Sequence, residues 1–197
     1  MADPLYLNMW FPNFSLSGMM PRALSIMRQF PFSAQIPGIT YVSVHPVSWS
    51  EATILVRRFS PGINPEYAVE IASDLLHQDY AYLFEAFWDL WSMDENSQRW
   101  TLQPHRVKFL VHGSEFADSA YREDGHMQVD FGLDTPFVQE EIKFTPSSEP
   151  RIRANVQKLV EFTNNIEKYC GITGRVLWSE SDDNLAQKLV SRLQKVQ

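Results

Sequence analysis

The stretch Tyr80–Trp91 (YAYLFEAFWDLW) most restricts what this chain can become. It packs six aromatic rings into twelve residues, with only Glu85 and Asp89 charged. Apolar residues lead into it at helical spacing: Ala68, Ala72, Leu75, Leu76, Leu83, Phe87 and Trp91. Asn64-Pro65-Glu66 supplies a helix start, with a capping side chain, a proline at the first position and an early acid. The pattern predicts one helix of about 27 residues, ~40 Å long at 1.5 Å per residue. On it Tyr80, Phe84, Phe87 and Trp91 form a stripe flanked by Leu83 and Leu90, while Tyr82 and Trp88 fall off its centre. A stripe can pack on a sheet, but the wider apolar surface needs a second layer. Either the C-terminal helices provide that layer or another chain does. Tyr82, Trp88 and Trp91 are the partner-binding candidates on this reading.

The remaining elements alternate. Leu5 to Phe11 reads as a strand. Met20, Leu24, Met27 and Phe30 recur at helical spacing, closed by Pro31 and Pro37-Gly38. Ile39 to Val44 and Ala52 to Phe59 read as a hairpin. Val107 to Val111 is a strand, followed by an acidic loop to Gly125. Met127 to Phe131 alternates and is expected to pair with Phe137 to Phe144 across Gly132 to Pro136. After the Thr145–Pro150 break, Ile152, Val156, Leu159, Phe162, Ile166 and Tyr169 form a helical stripe, stopped by Gly171 and Gly174. Arg175 to Trp178 is a short strand. Ser181-Asp182-Asp183 caps a last helix with Leu185, Leu189, Leu193 and Val196 on one face. The order predicts an α+β fold: an antiparallel sheet with helices on one face. Residues 1–112 read as a ferredoxin-like βαββαβ part, and residues 113–197 as a ββαβα extension packed on the same core.

Charge and cysteine content narrow the function classes. The 197-residue chain carries a formal net charge of −7. An acidic chain repels phosphate backbones, and Arg57-Arg58 and the Arg151/Arg153 pair are too short to form a basic patch, so no nucleic-acid partner is expected. No run approaches the length of an apolar membrane helix, and the first residues lack a signal-peptide pattern, so no membrane partner and a cytoplasmic location are expected. Cys170, the one cysteine, has no internal disulfide partner. At a helix C-terminus its thiol pKa is raised, which argues against a nucleophile.

Nucleotide, zinc-protease, hydrolase and Cys-x-x-Cys motifs are absent from the sequence. The densest polar stretch is His112 to Asp134. If Met127 to Phe131 is a strand, His126, Gln128 and Asp130 share one face, beside His112. His112, His126 and Asp130 are thus a possible metal-ligand set, or an imidazole–carboxylate pair for acid–base chemistry. The plainer alternative is a solvated hairpin face. His45 with Ser48 and Glu51 is a second, weaker grouping at a strand end. His77 reads as a surface residue of the long helix, and His105 as a loop residue. No catalytic residue and no cofactor are assigned. The sequence therefore reads as a non-enzymatic binding or assembly protein, acting through aromatic helix and sheet-edge surfaces on a protein partner or a second copy. The alternative is a small metal-binding protein or hydrolase using the 112–134 hairpin.

Overall fold

In a computed structural model, which describes residues 2–94, 99–118, 120–138 and 145–179, alternation of apolar residues builds a seven-stranded antiparallel sheet in the order β3-β2-β4-β5-β6-β1-β7. The elements are β1 (Pro4–Trp10), α1 (Leu16–Met27), β2 (Ile39–Pro46), β3 (Leu55–Ile63), α2 (Pro65–Ser73), β4 (Tyr80–Met93) and β5 (Trp100–His112). They continue with α3 (Ala120–Glu123), β6 (Met127–Leu133), α4 (Thr135–Val138), α5 (Glu149–Tyr169) and β7 (Gly174–Ser179). The fold is α+β, as the element pattern predicts. Leu5, Leu7, Met9, Val42, Val44, Phe84, Phe109 and Val129 point into one core, together with Met20, Ala23, Ala68, Leu159 and Phe162 of the helices. Residues of both 1–112 and 113–197 share this core, and β1 lies between β6 and β7.

The long helix expected over residues 65–91 is not formed. Asn64 caps α2 through a bond from the Tyr67 N–H to its side chain (2.8 Å), but the helix ends at Ser73. Tyr80–Met93 is instead the fourth strand, paired with β2 on one side and β5 along its whole length on the other. On a strand, alternate residues face opposite ways. Tyr82, Phe84, Ala86, Trp88 and Leu90 therefore all enter the core. Apolar residues in both registers mask the period of two, so a central strand imitates a helix stripe.

Strand order also departs from the split βαβ arrangement. The sequence order from β1 to β4 is βαββαβ, yet β4, β5 and β6 all lie between β1 and β2, where a split unit inserts one strand. The expected partner of β6 is replaced as well. Thr135–Val138 is the short helix α4, and Phe137 is buried against Trp88 with ring centroids 5.8 Å apart. β6 pairs with β1 and β5 instead. Residues 139–144 of the expected strand, and the expected helix carrying Leu185, Leu189, Leu193 and Val196, lie outside the described residues.

The opposite face of the sheet has no long helix on it among the described residues. Tyr41, Leu83 and Leu110 stand half-buried along its middle. Ion pairs Glu85–Arg106 (3.4 Å) and Lys108–Asp130 (3.1 Å) run beside them. Val56 on β3 and Val176 on β7 mark its margins, 43% and 49% exposed.

Candidate functional site

One end of this open face collects three histidines through strand register. His45 opposes Ala81, Ala81 opposes His112, and the His112 N–H donates to the His126 carbonyl at 3.0 Å. The result is a row, His45–Ala81–His112–His126, crossing β2, β4, β5 and the start of β6. Phe116 and Ala120 fold over Ala81 as a small cluster apart from the main core. Trp49 packs against this cover, with centroids 5.0 Å from Phe116, 4.8 Å from His45 and 6.1 Å from His112. Val47 ties the two pieces together: its N–H donates to Asp79 O and its carbonyl accepts from the Ala117 N–H, both at 2.7 Å. It does so at φ +60°, a conformation that a β-branched residue rarely adopts. Gly125 closes the loop at φ +92°, where a Cβ would lie 2.8 Å from Met9 O.

The imidazoles are neutral by construction. His112 is buried, and its Nδ1–H donates to Gly125 O at 2.9 Å. Burial lowers its pKa, against the opposing effects of that bond and of Asp124. His126 accepts the Phe11 N–H at its Nδ1 (3.0 Å), so its own proton sits on Nε2. Its ring stacks on Phe14 and Tyr121, with centroids at 4.5 and 4.3 Å, and those two rings lie 5.9 Å from each other. Burial, helped by the neighbouring His112, lowers its pKa to about 4. Burial also lowers the pKa of His45, whose Nε2 pairs with Ser43 Oγ at 2.9 Å and whose Nδ1 is buried without a partner among the described residues. Beside the row, Phe14, Ser15, Leu16, Met19, Gln78, Ser114 and Tyr121 line a shallow cleft of about 170 Å³. Ligand pockets for organic molecules usually span ~300–1,000 Å³.

His112 and His126 are brought together, but Asp130 is not part of their group. It lies four residues along β6, about 13 Å from His126 at ~3.3 Å per residue, and its carboxylate holds Lys108 and the Gly132 N–H. No group of three or more His, Cys, Asp or Glu suited to a metal ion occurs among the described residues. A metal on His126 Nε2 would move the proton to Nδ1, against the Phe11 N–H. The grouping of His45 with Ser48 and Glu51 is not assembled either, since Ser48 Oγ pairs with Ser50 Oγ. His77 is exposed and pairs with Asp79. His105 lies in β5, not in a loop, and bonds Ser92 Oγ at 2.7 Å.

The aromatic candidates divide. Tyr82 and Trp88 have no exposed surface, so neither meets a partner in this fold. The Tyr82 hydroxyl donates to Leu75 O and accepts from the His77 N–H, both at 2.8 Å, and burial pushes its pKa up to about 12. Trp88 packs on Phe30, Phe131 and Phe137. Trp91 is half-buried, with the Arg151 guanidinium 5.3 Å from its ring centre. Trp49, in the turn after β2 and outside every grouping read from the sequence, is 41% exposed and sits over the row. A single Trp in the turn after β2, a strand whose one Phe, Tyr or Trp is Tyr41, carries no periodic signal. Cys170 is buried, and burial raises its thiol pKa.

Comparison with family models, with curated proteins and with solved structures gave no match. No helix among the described residues is long and apolar enough to cross a membrane.

Proposed function

We propose that the protein is a non-enzymatic binding and assembly protein that pairs with a second copy of itself through the open face of its sheet. The observation that carries this reading is the half-buried apolar line Tyr41, Leu83 and Leu110 on a face without a long helix over it among the described residues. Seven strands ~4.8 Å apart and ~25 Å long present roughly 700 Å². A standard interface buries about 800 Å² per partner. Charge does not oppose a like partner strongly. The chain is strongly acidic overall, but on this face Glu85 pairs with Arg106 and Asp130 with Lys108, leaving only the Arg58 charge over, so two copies meet there with far less repulsion than the whole chain's charge would give. The reading replaces Tyr82 and Trp88 as docking residues, because both lie in the core. A cytoplasmic location goes with it, supported by a lone, buried cysteine.

Sedimentation velocity from low to high micromolar concentration tests it. A mass near twice the 22.8 kDa of the chain is expected as concentration rises. Leu110→Lys and Leu83→Lys, each shown to be folded by circular dichroism, should weaken association ~100-fold, equivalent to about 2.7 kcal/mol. A strict monomer at high micromolar concentration would refute self-association.

A further inference from the structure

We propose that His126 is an acid-operated latch: a proton added to its ring breaks the Phe11 bond, opens the Phe14–Tyr121 clasp, and frees α3 and the Phe116 loop from the end of the sheet. The geometry is specific. His126 Nε2 already carries the ring proton, so the second proton must enter Nδ1, where the Phe11 N–H points at 3.0 Å. Two donors then face one another across a hydrogen-bond distance. Turning the ring away would break two stacks at once, since Phe14 and Tyr121 lie against it at 18° and 27° and also touch each other at 5.9 Å.

The surroundings do not welcome the charge. From β5 comes His112, and from α1 Arg22, whose guanidinium lies 5.4 Å from the Phe11 ring centre. From α3 come Tyr121 and Arg122, whose carbonyl takes the Trp10 indole N–H at 3.3 Å. From the turn before His126 comes Asp124, whose charge favours protonation of His112. What the latch holds is separable. Ala81, Phe116 and Ala120 form a cluster of their own, outside the main core. Its release leaves the helix-covered side of the sheet intact.

The direction with pH follows from burial, which keeps the His126 pKa at about 4 against its ordinary 6.5. A depressed histidine contributes to closure above pH 6.5 and loses that contribution as pH falls towards 4. By pH 4 the closed state is disfavoured by up to ~160-fold, a factor that partial exposure of the ring reduces.

The test is a histidine NMR titration combined with amide hydrogen exchange, at low micromolar concentration for exchange so that assembly does not enter. As pH falls from 7 to 4, the Phe11 amide should move with the His126 titration. Exchange in the 113–124 peptide should rise at least 10-fold while β4 stays protected. His126→Asn puts an acceptor near the Nδ1 position that does not protonate, and should remove the transition. Phe14→Leu, which loosens the clasp with the imidazole kept, should move it to higher pH. The proposal is overturned if His126 titrates near 6.5 with the Phe11 amide unmoved, or if β4 loses protection together with 113–124. It is also overturned if folded His126→Asn retains the wild-type transition. Should His126→Asn not fold, the wild-type titration and Phe14→Leu decide.

Discussion

Trp88→Ala should unfold this protein more readily than any change on its surface. The indole is fully buried on β4 and packs on Phe30 at 5.5 Å, Phe131 at 5.3 Å and Phe137 at 5.8 Å between ring centroids. A buried Trp removes about 200–250 Å² from water, ~5–6 kcal/mol at 25 cal/mol per Å². One term opposes this. The indole N–H has no hydrogen-bond partner among the described residues, a burial cost of ~1–3 kcal/mol that the substitution abolishes. The net loss is about 2–5 kcal/mol, overlapping the range of Trp→Ala core changes. With a urea slope of ~2 kcal/mol per M, the midpoint should fall by about 1–2.5 M. Trp88→Phe, which drops the unpaired N–H and keeps a ring, should cost less than about 1.5 kcal/mol. Urea titration followed by far-UV circular dichroism measures both. A midpoint shift below about 0.5 M for Trp88→Ala would mean that the β4 aromatics are not in the core, and the strand assignment would fall with it.

Two further substitutions probe the links around the histidine row. Tyr82→Phe leaves the Leu75 carbonyl and the His77 N–H without their shared hydroxyl, so stability should drop by about 1–3 kcal/mol in the same titration, and a loss under 0.5 kcal/mol would discount the bonds. Val47→Gly relieves a β-branched residue at φ +60° while keeping both backbone bonds. A gain of about 1 kcal/mol is expected by thermal melting, and a net loss would show that the exposed Val47 side chain matters more than its backbone.

Much of the fold is legible in the sequence because most elements have one buried face. β1, β2, α1 and α5 each follow a clean period, and Ile152, Leu159, Phe162 and Ile166 are buried as their spacing requires. The failures have physical causes. β4 is apolar in both registers, so its period of two disappears, and α2 stops at Ser73 without a glycine to announce it. β5 is longer than the expected Val107 to Val111 strand, and it runs through Pro104, a residue that strands hold only where it breaks no ladder. β6 pairs only with Lys108 to Val111, so at Pro104 that side of β5 has no β6 ladder to break. The histidine row was half legible. His112 and His126 are near in sequence order around one hairpin, but His45 joins them only through the register of β2 on β4 and β4 on β5. Strand register of this kind is not written in local spacing.

The central claim is that open sheet faces meet. It is tested most directly by pulsed dipolar spectroscopy on nitroxide-labelled Arg106→Cys, in a Cys170→Ser background, with Gln157→Cys on the exposed side of α5 as the control. Face-to-face sheets pack ~10 Å apart, so Arg106 labels should give a strong intermolecular signal at short distance that vanishes on dilution or in Leu110→Lys. Gln157 labels, on the far side of the helix layer, should give only long distances. Equal signals from both sites, or none from Arg106 at high micromolar concentration, would contradict the account.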